Sequence, residues 1–156
     1  MHDAHALPGF TDVLAAAARI APHAHATPVL SSQAIDQASG ARIVFKAEHL
    51  QRAGAFKFRG ACNAVWSLED AQAARGVVTH SSGNHGAALA LAARSRGIPC
   101  HVVVPEGAVR AKLAAIEAYG AILAASNPGA RLVYWNMMAP RAMPPGCAPR
   151  GRPRPD

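Results

Sequence analysis

The strongest constraint on the fold is a regular alternation of short apolar stretches with longer helical stretches between residues 76 and 126. The apolar stretches are GVVTH (76–80), IPCHVVVP (98–105) and AILAAS (121–126). Residues 83–97 and 108–120 have the pattern and length of helices, and Gly120 ends the second stretch in the C′ position. Such alternation predicts βαβ units and a parallel sheet. We therefore expect a three-layer α/β subdomain, a parallel sheet with flanking helices.

The first 55 residues predict structure of another kind. Thr11-Asp12 precedes VLAAAARIA, which indicates an N-cap and an amphipathic helix that Pro22 closes. Residues 28–30 are expected to be extended, and ARIVFKAEHL (41–50) has the alternation and composition of a strand. We assign residues 1–55 to the N-terminal part of an incomplete large domain. Residues 56–130, helical at their start, form the small α/β subdomain.

The positive charge is concentrated in residues 131–156. This segment has five arginines, one aspartate and six prolines, and it supplies four of the seven net positive charges. It shows no helical or strand period, so we expect a basic, disordered tail. Because the rest of the chain is only mildly basic, the sequence does not indicate a nucleic-acid partner.

The cysteines and the hydropathy favour a reduced, cytoplasmic chain. Cys62, Cys100 and Cys147 are odd in number and none forms a C-x-x-C pair, which argues against a disulfide framework or a zinc site. His23 and His25 have no cysteine or carboxylate cluster beside them, so no metal is expected. No apolar run reaches the roughly 18 residues of a membrane span, and no signal peptide is recognisable.

The first candidate for chemistry is Lys57 within GAFKFRGA (54–61), because phenylalanines flank it on both sides. An amine between aromatic rings in an apolar pocket is poorly solvated as a cation, so its neutral, nucleophilic form becomes available. The alternative is an ordinary lysine at a helix start, which the local pattern by itself favours.

The second candidate is HSSGNHG (80–86), which falls where a strand ends and a helix begins. Ligands of open parallel sheets collect at the carboxyl ends of strands, and a helix N-terminus offers free N–H groups to an anion. Gly83 and Gly86 would let the backbone approach closely, and the hydroxyl and amide side chains add hydrogen-bonding groups. The motif predicts binding of a carboxylate or phosphate, with a polar, well-capped turn as the alternative.

Together the two motifs resemble the fold-type II pyridoxal-phosphate enzymes of the serine/threonine dehydratase and serine racemase group, which are tryptophan synthase beta-like in fold. The resemblance runs from about residue 12 to residue 130 without a large gap. It is carried by DVLAAAARIAPHAHATPVLSS, FKAEHLQRAGAFKFRGACNAV, VVTHSSGNHGAALALAARSRGIPCHVVVP and KLAAIEAYGA.

The resemblance implies a role for each matching residue. Lys57 would form the Schiff base with pyridoxal 5'-phosphate, Phe56 would pack on the cofactor, and Asn84 would hydrogen-bond the pyridoxal 3′-oxygen. The substrate carboxylate would be held by Ser81, Ser82, Asn84 and His85. Ser82 would be the second acid/base in a racemase. The two motifs are therefore expected to face one cleft.

The implied reaction is deamination of L-threonine or L-serine to a 2-oxo acid and ammonia. Lys57 would remove the Cα proton while the cofactor takes up the carbanion charge. Three alternatives stay open: an amino-acid racemase of the same fold, a non-catalytic remnant, and a small basic protein whose arginine tail binds nucleic acid or acidic membrane. Strands that lack a covering domain would leave an apolar face, which predicts a possible homo-oligomer.

The sequence departs from the family in its second half. Family members are about twice as long and carry a glycine-rich loop for the cofactor phosphate, whereas this chain has 13 glycines and no Gly-Gly pair. The abrupt change to arginine, proline and methionine after Arg131 suggests a truncated gene or a frameshift, which sequencing of the locus would test. Weak or absent activity is therefore expected for the 156-residue chain.

Overall fold

The computed structural model describes residues 7–105 and 107–126. The predicted basic tail, 131–156, and Cys147 lie outside the described residues. The helices are α1 (Phe10–Ile20), α2 (Gln33–Ser39), α3 (Lys57–Trp66), α4 (Asp70–Ala73), α5 (Asn84–Arg96) and α6 (Arg110–Ala118). The strands are β1 (Val29–Ser31), β2 (Val44–Lys46), β3 (Val77–His80), β4 (Cys100–Pro105) and β5 (Ile122–Ser126).

The last three strands form the predicted parallel sheet. Its order is β3-β4-β5, and both neighbouring pairs are parallel. Val77 lies opposite Cys100, and His101 lies opposite Ile122. The expected α/β fold with a parallel sheet is therefore confirmed, because short apolar strands joined by helices pair in this way.

One face of this sheet carries the core. The buried residues of β4 alternate as Cys100, Val102 and Val104, and α5 and α6 pack on that side. Helix α3 packs on α5 instead of on the sheet, so the helical layers lie on the same side. The register places Val78 and Ile122 on the opposite face, where they are 41% and 47% exposed. Among the described residues, no helix covers that face.

The N-terminal segment forms a separate two-stranded antiparallel sheet of β1 and β2, with Leu30 opposite Phe45. The strand expected over residues 41–50 is limited to three residues, because the chain turns into two short 3₁₀ segments, Glu48–Leu50 and Arg52–Gly54. All residues of β1 and β2 are exposed. The assignment of residues 1–55 to a separate, incomplete domain stays a prediction, as does a homo-oligomer through an apolar face.

Two details of the N-terminal helices differ from the sequence prediction. Helix α1 begins at Phe10, before the N-cap expected at Thr11-Asp12, because Gly9 is the N-cap. The Asp12 carboxylate accepts the Gly9 N–H at 2.8 Å from within the first turn. Helices α2 and α4 were not predicted, because each is too short to display an apolar period. None of the described helices is long and apolar enough to cross a membrane.

Gly86 allows α5 to approach the sheet closely. A Cβ at this position would lie 2.7 Å from the Ser81 carbonyl oxygen and 3.2 Å from side-chain atoms of both Val102 and Ile116. At Gly83 an added Cβ would meet nothing within 4 Å. The close approach that the sequence suggested for both glycines is therefore needed at Gly86 alone.

Gly86→Ala is expected to destabilise the fold by about 1–3 kcal/mol despite the higher helix propensity of alanine, because backbone and core atoms must move. Gly83→Ala is the control and should lose less than about 1 kcal/mol, since it changes only an N-cap. Urea unfolding followed by circular dichroism measures both. Equal losses in the two variants would show that the close approach is not what Gly86 provides.

Candidate functional site

A pocket of about 230 Å³ lies where the first turns of α3 and α5 meet. Its lining is mainly apolar, and two of its five residues carry nitrogen groups that can take up or release a proton. The lining residues are Phe56, Lys57, Gly60, Ala61 and His85. The packing of α3 against α5 thus brings the two predicted motifs to one site, although they are 27 residues apart from Lys57 to Asn84.

Lys57 is the first residue of α3 and is exposed to solvent within this pocket. Its Nζ lies 5.0 Å from the centroid of the Phe56 ring. The aromatic sandwich expected from the sequence does not form, because Phe58 is completely buried in the core. Successive residues of a helix point about 100° apart, so the two phenylalanines cannot face the same amine. Of the two phenylalanines, Phe56 has its ring beside the Lys57 amine.

His85 is half-buried on the other wall of the pocket. Burial lowers the pKa of His85 below its ordinary value of 6.5, and the positive charge of Lys57 lowers it further. A neutral imidazole beside an amine is therefore the resting arrangement at neutral pH.

The other predicted site residues lie in the turn before α5. The Ser81 Oγ accepts hydrogen bonds from the backbone N–H groups of Gly83 (3.3 Å) and Gly86 (3.1 Å), so this side chain caps the helix. Ser82 is half-buried and Asn84 is exposed, and neither lines the pocket around Lys57. Of the four residues expected to hold a substrate carboxylate, only His85 shares the pocket with the lysine. The binding roles of the others stay predictions.

A polar network that the sequence did not predict fixes the start of α3. The guanidinium of Arg59 donates to both carboxylate oxygens of Glu48, at 2.9 Å from Nε and 2.7 Å from Nη2. Arg59 also donates to the Thr27 hydroxyl and the His25 carbonyl. Because Arg59 is two residues after Lys57, these bonds tie the lysine's turn to two earlier segments of the chain.

Gln51 extends this network. Its side chain is buried, its Oε1 accepts the His25 N–H and its Nε2 donates to the His25 carbonyl, both at 2.9 Å. Between Gln51 and Lys57 the chain reverses through Ala53 and Gly54, which have φ values of 58° and 66°. A non-glycine residue in this region is uncommon and strained. The backbone leading to Lys57 is therefore held in an unusual conformation by side chains on either side of it.

No local sequence signal pairs Glu48 with Arg59, which explains why this network was missed. In the sequence, Arg59 is notable only because it is two residues after Lys57. Glu48 lies near the end of the strand predicted over residues 41–50, and nothing in that pattern indicates a partner for it. The described residues contain no group of three His, Cys, Asp or Glu side chains that could hold a metal ion.

Comparison with known proteins identifies the family to which this chain belongs. The model of one protein family, described as pyridoxal-phosphate dependent enzyme, matches residues 20–134. The chain belongs to the family of pyridoxal-phosphate dependent enzymes. Pyridoxal phosphate is the cofactor of this family, and the resemblance drawn from the two motifs is confirmed.

Individual relatives of the pyridoxal-phosphate family agree with this. A serine racemase of Arabidopsis thaliana is 59% identical over 102 residues, which cover 65% of this chain and 31% of that protein. A beta-hydroxyaspartate dehydratase of Paracoccus denitrificans is 49% identical over 122 residues, covering 78% and 39%. The structure of maize serine racemase superposes with a TM-score of 0.72 at 50% identity, covering 76% of this chain and 36% of that one. The chain spans about a third of the length of these relatives.

The pocket fits the reactive part of the family's cofactor. An aldehyde requires an accessible primary amine, which Lys57 offers, and a flat ring requires an apolar or aromatic surface, which Phe56 and Ala61 offer. The neutral His85 adds no charge beside the amine. Lys57, Phe56 and His85 are thus the described residues that would hold this end of the cofactor.

Glu48 makes the stability of the fold depend on pH. The hydrogen bonds from Arg59 lower the pKa of Glu48 from 4.5 to about 2; burial opposes this change, while Thr27 and the charges of Arg59 and Lys46 assist it. A carboxylate with a depressed pKa stabilises the fold fully above about pH 4.5, and this contribution is lost as the pH falls towards 2. We expect a loss of about 1–3 kcal/mol over that range.

The Glu48→Gln variant should lose this stability at neutral pH and show a flatter dependence on pH between 4.5 and 2. Denaturant midpoints measured at several pH values test this. Asp70→Asn is the matched control, because Asp70 also contacts an arginine, Arg96, at 2.9 Å but is fully exposed. If both variants give the same pH profile as the unchanged protein, the Glu48–Arg59 pair does not contribute as proposed.

Proposed function

We propose that the chain carries the lysine half of a pyridoxal-phosphate site that deaminates L-serine or L-threonine to a 2-oxo acid and ammonia. The observation that carries the proposal is the shared pocket of Lys57, Phe56 and His85 at the meeting point of two helix N-termini. Membership of the pyridoxal-phosphate family supports the cofactor, and the related hydroxyaspartate dehydratase supports the elimination of water.

Different residues of the chain would remove the Cα proton and bind the substrate carboxylate. When bound, pyridoxal phosphate withdraws electrons from the substrate Cα and so makes the Cα proton removable. Lys57 Nζ is the base in this proposal, because it is the accessible amine of the pocket. Because burial lowers the pKa of His85, this imidazole does not compete with Lys57 for the Cα proton. The backbone N–H groups at the start of α5 would attract the substrate carboxylate.

Racemisation of serine is the second candidate, and the 59% identity to a serine racemase favours it. It begins with the same loss of a Cα proton and differs in returning a proton to the opposite face. Ser82 would hold that second proton. Because the matched region covers about a third of these relatives, a fragment without activity of its own is a further candidate.

The first test concerns the amine. Titration with pyridoxal phosphate should produce absorbance at about 410–430 nm that depends on Lys57. The chain has only three lysines, Lys46, Lys57 and Lys112, so each can be replaced in turn. Lys57→Ala should remove the signal, whereas Lys112→Ala, an exposed lysine of α6, should retain it. The proposal fails if the two variants give equal signals, since any accessible amine forms imines.

The second test separates the two reactions. With added pyridoxal phosphate, release of 2-oxo acid from L-serine and L-threonine and formation of D-serine are measured for the chain, for Lys57→Ala and for Ser82→Ala. We expect 2-oxo acid at a rate near background. Turnover near or above about 1 s⁻¹ that requires Lys57 would show that the chain is a working enzyme. D-serine formation that requires Ser82 would favour the racemase over the dehydratase.

A further inference from the structure

Gly60 has no role in the fold that explains why it is a glycine. It is the fourth residue of α3, inside the helix, where glycine is among the least favourable residues. Its φ is not in the left-handed region, unlike that of Gly40, Gly54 or Gly97. Alanine would therefore satisfy the backbone at this position better than glycine does.

Close packing does not explain Gly60 either. A Cβ built on it would meet no atom within 4 Å, whereas a Cβ at Gly76 or Gly86 would lie within 3 Å of a carbonyl oxygen. An added Cβ would not clash at Gly9 or Gly83 either, but both are N-caps, where glycine is favoured. Among the glycines that the structure describes, Gly60 alone lies inside an α-helix with neither a steric nor a conformational reason.

The position of Gly60 supplies a reason. Residues three and four apart share one face of a helix, so Lys57, Gly60 and Ala61 face the same side, and all three line the pocket. Ala61 is buried, whereas Gly60 is exposed. The space in front of Gly60 is thus pocket space, one turn along α3 from the reactive amine.

We propose that Gly60 is a ligand-contact position, whose missing side chain leaves the room in which the flat ring of the cofactor lies against α3. This inference rests on the proposed function, because it requires the ring to be attached through Lys57. A side chain at this position would narrow the pocket that Gly60 and His85 line. It would leave the amine itself and the packing of α3 unchanged.

Opposite effects on stability and on binding would distinguish this role from a structural one. Gly60→Ala should raise the melting temperature of the cofactor-free chain by about 2–5 °C, because helix propensity improves without a clash. Ser95→Ala, at the far end of α5, is the control that improves a helix away from the pocket. A lower melting temperature for Gly60→Ala would overturn the proposal, since the fold itself would then need the glycine.

Binding is measured by reduction with borohydride after addition of pyridoxal phosphate, followed by peptide mapping of Lys57 against Lys112. The preference for Lys57 should fall about 5- to 100-fold in Gly60→Leu, fall less in Gly60→Ala, and stay unchanged in Ser95→Ala. Formaldehyde with cyanoborohydride is the small probe that carries no ring. Its reaction at Lys57 should be the same in all variants.

Each outcome decides a different point. If the unchanged chain shows no preference for Lys57, the proposed function fails and the role of Gly60 fails with it. If that preference is present and Gly60→Leu retains it, only the inference about Gly60 is wrong. If Gly60→Leu loses reaction with formaldehyde as well, the substitution has displaced the lysine, and the steric role is wrong.

Discussion

The packing of α3 against α5 is the interaction on which the site depends. Helix α5 is buried along most of its length, and its buried residues are nearly all small: Gly86, Ala88, Leu89, Ala90, Ala92 and Ala93. Small side chains let α5 lie between the parallel sheet and α3, which contributes the completely buried Phe58 and Val65. The two helices pack with their first turns adjacent, so Lys57 and His85 come to share one pocket.

A second constraint acts along the chain. Arg59 and Gln51 bind the backbone and side chains of residues 25–27, and Glu48 joins Arg59 to the end of β2. The described side chains leave no buried polar atom without a partner. Paired, hydrogen-bonded charges of this kind hold one conformation, because breaking either partner leaves an unsatisfied group. The lysine is therefore presented from a fixed turn and not from a mobile loop.

The same fold leaves apolar surface uncovered. Parallel sheets are normally covered on both faces, yet Val78 and Ile122 lie on a face without helices among the described residues. The small antiparallel sheet also exposes Leu30 and Phe45. Exposed apolar residues that lie together on one face can take part in association, and a homo-oligomer through such a face stays a prediction. This agrees with a chain that matches about a third of the length of its relatives.

The sequence by itself determined the parallel sheet, the two chemical motifs and the family, since period, glycine position and short motifs are local properties. It did not determine which side chains surround Lys57. The sequence predicted that Phe58 is a second ring beside Lys57. Phe58 is instead buried in the core, because helix geometry points neighbouring side chains in different directions. Lys57 shares its pocket with His85, and Glu48 pairs with Arg59, through contacts between distant segments. Only the tertiary structure decided these, because packing brings together residues that no sequence period relates.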